Sequence, residues 1–147
     1  MKSEKFISYN VVIGLEIELR PPCELVVRYV LPAFRSLVAK ELIEKYDFSQ
    51  VAAAEKLGTT QAAISYYLYS KRGDKRIRQL ETVSLVQSTA SEVAQGMANG
   101  KISALDAMLS FCKLCIALRN QDVICDLHRD FISLPEPCKL CPDVSKP

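Results

Sequence analysis

Between Phe48 and Leu68, apolar residues recur at helical rather than strand spacing, in two short runs separated by a glycine. The first run sets Val51, Ala53, Ala54 and Leu57 on its inward side, behind Ser49, whose hydroxyl can accept an N–H from the opening turn. Gly58 supplies a tight turn, and Thr59 and Thr60 give a second start signal. The next run buries Ala63, Ile64, Tyr67 and Leu68 and turns Gln61, Ser65, Tyr66 and Tyr69 outward. The small side chains of Ala53 and Ala54 let two steeply crossing helices approach closely. This pattern predicts a helix-turn-helix, the unit whose second helix can enter the major groove of DNA.

The flanking patterns extend the helical reading. Residues 1–20 fit a short strand or a loose arm equally well. Pro21 and Pro22 start a helix near Cys23 that continues through Leu25, Val26, Tyr29 and Val30, with Pro32 expected to kink or interrupt it. Cys23, next to Val26 and Val27, is expected as a buried thiol. A further helix over 33–46 buries Phe34, Leu37, Val38, Leu42 and Ile43 and supports the helix-turn-helix. One long helix is predicted over 79–98, ended by Asn99 and Gly100. Ser103 then caps another, whose apolar positions are Leu105, Met108, Leu109, Cys112 and Ile116. These last two helices either form a dimer interface or complete the monomer core.

Charge sharpens the division. The whole chain carries only +2, but residues 1–78 hold thirteen Lys or Arg against nine Asp or Glu, and residues 79–147 hold six against eight. The densest positive run, Lys71, Arg72, Lys75, Arg76 and Arg78, directly follows the helix-turn-helix, where it can meet phosphates or simply form a solvated turn. No apolar run is long enough to cross a bilayer and no signal peptide is evident, so no membrane partner and a cytoplasmic location are expected.

Cysteines supply the second constellation. In a reducing compartment, CKLC at 112–115, CDLH at 125–128 and CKLC at 138–141 point to metal ligation or redox chemistry before disulfides. Cys112, Cys115, Cys138 and Cys141 match a tetrahedral zinc site. Cys125 and His128 are then further donors, part of a cluster with alternative ligation, or a redox switch. Against this stands the reading in which Cys112 and Ile116 lie on the buried face of an ordinary helix.

The stretch SQVAAAEKLGTTQAAISYYL resembles the helix-turn-helix of bacterial and archaeal repressors of the phage-repressor type. The wider segment PPCELVVRYVLPAFRSLVAKELIEKYDFSQ resembles a family of archaeal transcriptional regulators that carry this module and a cysteine-bearing tail. That resemblance inclines the metal expectation toward an iron-sulfur cluster (4Fe-4S) that senses redox state, with zinc as the simpler choice.

The expected architecture is therefore all-α. An N-terminal arm (1–20) precedes a DNA-binding domain (21–78), a helical dimerisation segment (79–111) and a cysteine-rich metal-binding tail (112–147). Expected partners are double-stranded DNA and a second copy of the chain. Thr60, Gln61, Ser65, Tyr66 and Tyr69 are the candidates on the reading helix, and Lys71, Arg72, Lys75 and Arg76 those for the phosphate backbone. The rival class is a zinc-stapled protein-interaction module of the transcription machinery. An enzyme is not expected: the chain has one histidine, no evident pair of acid-base carboxylates and no phosphate-cradling glycine loop.

Overall fold

A computed structural model describes residues 19–70, 74–134, 136–139 and 141; the predicted arm over 1–18 lies outside them. The described residues are helical, with no strand among them. In chain order the elements are α1 (Pro22–Leu25), a π-helical stretch (Val26–Val30), α2 (Leu31–Glu44), α3 (Gln50–Leu57) and α4 (Gln61–Tyr69). These are followed by α5 (Lys75–Glu81), α6 (Ser84–Ala98), α7 (Ala104–Asn120) and α8 (Val123–Arg129).

Pro22 opens α1 at a position where its missing N–H costs nothing. Of the kink or interruption expected at Pro32, the structure shows a local change of helix type rather than a break in the helical path. The proline ring and missing donor disturb the turn before it, and the backbone answers with π geometry over Val26–Val30 while the chain continues helically into α2. Leu25, Val26, Tyr29 and Val30 are buried as predicted. Cys23, expected in the core, is exposed, because it faces away from the side on which Leu25 and Val26 pack.

One main core runs from Leu25 through Phe34, Leu42, Val86, Val93 and Leu118 to Cys141. The regions predicted as DNA-binding domain, dimerisation segment and tail thus share a single apolar interior. Its axis is the pairing of α2 with α6, which buries Val38 and Leu42 against a face containing Val86, Ala90, Val93 and Met97.

The single helix predicted over 79–98 is two helices. The break falls at Thr82–Val83, where the Thr82 hydroxyl donates to the Gln79 carbonyl (2.6 Å) and the Gln87 amide donates to the Glu81 carbonyl (2.9 Å). Glu81 is also tied to Lys40 of α2 at 3.4 Å. The two hydrogen bonds satisfy carbonyls at the end of α5, while the start of α6 at Val83 carries no side-chain cap.

α6 ends at Asn99 and Gly100 as expected, Gly100 adopting φ +69. The returning chain packs so closely that a Cβ on Gly96 would overlap the Ile102 side chain. Ser103 then caps α7 reciprocally with Asp106.

Candidate nucleic-acid interface and thiol site

α3 and α4 are set by local chemistry. Ser49 Oγ accepts the Ala52 N–H at 3.1 Å and Thr60 Oγ1 accepts the Ala63 N–H at 3.2 Å. Between them Gly58 adopts φ +63, and its N–H and that of Thr59 close the end of α3 on the Glu55 and Ala54 carbonyls. The helix pair is held to α2 by a compact satellite core of Ala39, Ala54 and Ile64, ringed by Ile43, Leu57, Tyr67 and Leu68. Ala53, on the same helix as Ala54, belongs instead to the main core. Val51, expected on the inward side, is 56% exposed. It lies roughly 200° around the helix from Ala53, at 100° per residue, so burying Ala53, Ala54 and Leu57 turns it out.

The outer face of α4 presents Gln61, Ala62, Tyr66 and Tyr69, with Ser65 half-buried beside them. Tyr66 and Tyr69 are 58% and 69% exposed, large values for aromatic rings. Gln61 Nε2 donates to Gln50 Oε1 at 2.6 Å, which fixes the side-chain amide across the mouth of the turn. A carboxamide nitrogen has two hydrogens. One N–H and the Oε1 acceptor of Gln61 therefore remain for a base edge of complementary donor and acceptor pattern, such as adenine. The Thr60 oxygen is engaged in capping, leaving its hydroxyl hydrogen free to donate.

The predicted phosphate contacts are divided. Lys71 and Arg72 lie outside the described residues. Lys75, at the start of α5, is exposed. Arg76 turns into the fold: its guanidinium lies over the rings of Phe131 (4.7 Å) and Tyr29 (5.7 Å), with Asp74 and Asp130 at 3.8 and 3.9 Å. It ties α5 to the segment after α8, a role that charge counting along the sequence does not reveal.

In the tail the six predicted donors do not form one site. Among the described residues no three His, Cys, Asp or Glu side chains are arranged to hold a metal ion. Cys112 is exposed on the outer side of α7, not on the buried face, and Cys115 packs against the core. His128 is buried, and its Nε2–H donates to the Arg20 carbonyl at 2.8 Å, tying α8 to the chain entering α1. Since a carbonyl can only accept, the proton sits on Nε2.

Two other sulfurs nonetheless lie near that of Cys141. Cys125 and Cys141 are both buried, and Cys125 and Cys138 each lie close enough to act on the Cys141 thiol electrostatically. Burial, and then the Cys125 sulfur, push the Cys141 thiol up to about 11, while Arg119 pulls it down. Sequence spacing did not single out Arg119. Its Nε is buried without a hydrogen-bond partner, so a guanidinium donor stands unsatisfied near the thiol pair. Such a group stabilises a thiolate once one forms. These residues fit thiol chemistry; as they stand they do not form the closed shell of four donors that zinc or a cubane cluster takes.

Among the described residues no helix is long and apolar enough to cross a membrane. No family model, curated protein or solved structure matches the chain.

Proposed function

We propose that the protein is a sequence-specific, double-stranded-DNA-binding regulator of transcription that acts as a homodimer. The observation that carries this reading is the α3–Gly58–α4 unit, in which one face of α4 is sealed by Ile64 while the other offers an oriented Gln61 amide and two exposed tyrosines. A pair of crossing helices with no partner to read has no need of an exposed aromatic face or of a fixed carboxamide at the helix start. Gln61 and Ser65 contact base edges, Tyr66 and Tyr69 reach sugar, phosphate or a thymine methyl, and Lys75 with Lys71 and Arg72 holds the backbone. Arg76 is left out of this set because its charge serves the fold.

The tail enters the proposal as a redox-responsive thiol site built from Cys125, Cys138 and Cys141 beside Arg119. Loading with zinc or an iron-sulfur cluster requires the Cys112–Cys115 pair to converge on these sulfurs. Anaerobic purification followed by iron, zinc and labile-sulfide analysis tests that part separately.

The DNA reading is tested by Gln61→Ala on a duplex selected by the wild-type protein. The substitution is expected to cost about 1–3 kcal/mol and to relax preference at one base pair of each half-site. Binding by wild-type protein that is weak, erased by modest salt and blind to sequence would replace this reading with the protein-interaction module.

A further inference from the structure

Helix α7 has two apolar faces. The inner one, Ala107, Leu114 and Leu118, is buried in the bundle. The outer one carries Leu105, Met108, Leu109 and Ile116, which are 61%, 54%, 50% and 48% exposed, with exposed Cys112 among them. A single exposed leucine is ordinary, but this is a contiguous row of large apolar groups along more than three turns of helix. Leu105, Leu109, Cys112 and Ile116 are spaced four, three and four residues apart, the alternation of a coiled-coil seam.

We infer that this face is covered by the same face of a second copy, with the two α7 helices antiparallel. The inference gives an interface to the homodimer proposed above and rests on that part of the reading, but not on DNA binding. Antiparallel pairing makes the row self-complementary. Leu105 meets the partner's Ile116 and Leu109 meets the partner's Cys112, and two-fold symmetry repeats both layers, so four apolar layers form with no gap and no polar insertion.

Charge selects this direction. Asp106 and Lys113 are both exposed and lie on the same flank of the seam, seven residues apart. In the antiparallel register Asp106 of each protomer stands beside the partner's Lys113, giving two opposite-charge pairs at the rim. A parallel seam sets Lys113 beside the partner's Met108 and forms no opposite-charge pair within the helix. It also places each residue beside its own copy, Cys112 on Cys112.

Disulfide trapping in the full chain separates the two directions. In a Cys112→Ser background, Leu105→Cys with Ile116→Cys is expected to give a covalent dimer on mild oxidation, with a 105–116 inter-subunit peptide found by mass spectrometry. Leu105→Cys alone is expected to give none, because in the antiparallel register the two copies of residue 105 are about 16 Å apart along the axis, from the helical rise over eleven residues. A 105–105 cross-link as efficient as the 105–116 one would overturn the inference.

Sedimentation equilibrium supplies the second readout. Leu109→Glu, at a half-exposed position that leaves the bundle interior intact, is expected to weaken the dimer at least a hundredfold. Lys113→Glu, which faces Asp106 of the partner with like charge, is expected to weaken it about tenfold at low salt. A wild-type dimer unaffected by Leu109→Glu and giving no 105–116 cross-link overturns this interface while sparing the homodimer. A wild-type monomer overturns both and assigns the face to a different partner, yet it leaves DNA selectivity to be judged on its own.

Discussion

Replacing Ile64 by alanine isolates the contact that positions α4, the helix proposed to meet DNA. Ile64 is fully buried and stands in a satellite core with Ala39 and Ala54, apart from the main core. The substitution removes three carbons, and at ~0.8 kcal/mol per buried methylene the transfer part alone is about 2.5 kcal/mol. The two nearest buried neighbours are alanines, which have no side chain to swing into the space, so much of the cavity stays open and raises the loss to about 3–4 kcal/mol. The loss also falls unevenly, because α4 is held by α2 and α3 through this cluster while the α2–α6 packing is untouched. Urea unfolding followed by circular dichroism measures the total, and amide hydrogen exchange locates it. Residues 61–69 are expected to exchange roughly a hundredfold faster or more, with a much smaller change over Ser84–Ala98. A loss under about 1 kcal/mol, or equal acceleration in α4 and α6, would refute the idea that this cluster alone clamps α4.

Three further outcomes follow from local geometry. Gly58→Ala meets no atom within 4 Å, so its cost is purely the φ +63 backbone; a loss of about 1–2 kcal/mol is expected, Gly58→Asn should lose less, and an unchanged unfolding midpoint would contradict the left-handed turn. At pH 8 a soluble alkylating reagent should modify Cys23 and Cys112 well before Cys125 and Cys141, since the latter two are buried and the Cys141 thiol is pushed up to about 11; equal labelling rates by mass spectrometry would dissolve the thiol site. The hydrogen bonds from Ser103 hold the Asp106 carboxyl below its usual value of 3.8, so its contribution is present above that pH and fades as pH falls through the lower folded-state value. An NMR titration of Asp106 that gave an ordinary carboxylate midpoint would remove the capping box from the account.

What the chain reveals by itself is the chemistry that acts over three or four residues. Ser49, Gly58, Thr60 and Ser103 were all legible, because a cap or a left-handed turn is decided by the residue and its immediate neighbours. Periodicity failed where tertiary packing decides. The apolar stripe runs on through Leu80, Val83 and Val86, so it could not show that Lys40 and Gln87 draw the chain into a corner at Thr82. α7 is apolar on two sides, and only the bundle determines that Leu114 goes in while Leu109 stays out. The three cysteine pairs share one spacing, yet spacing cannot say that Cys125 meets Cys141 or that Arg119 stands beside them. Arg76 reads as one more cation in a basic run until Tyr29 and Phe131 stack to receive it.

Recognition of a specific duplex is the central functional proposal. The direct test is selection of bound sequences from random double-stranded oligonucleotides by the full chain, followed by affinity for the selected and for scrambled duplexes at physiological salt. The account predicts a two-fold symmetric site with half-sites about one helical turn apart, bound on the order of a thousandfold tighter than scrambled sequence. No enriched sequence, and equal affinities that vanish together as salt is raised, would contradict it.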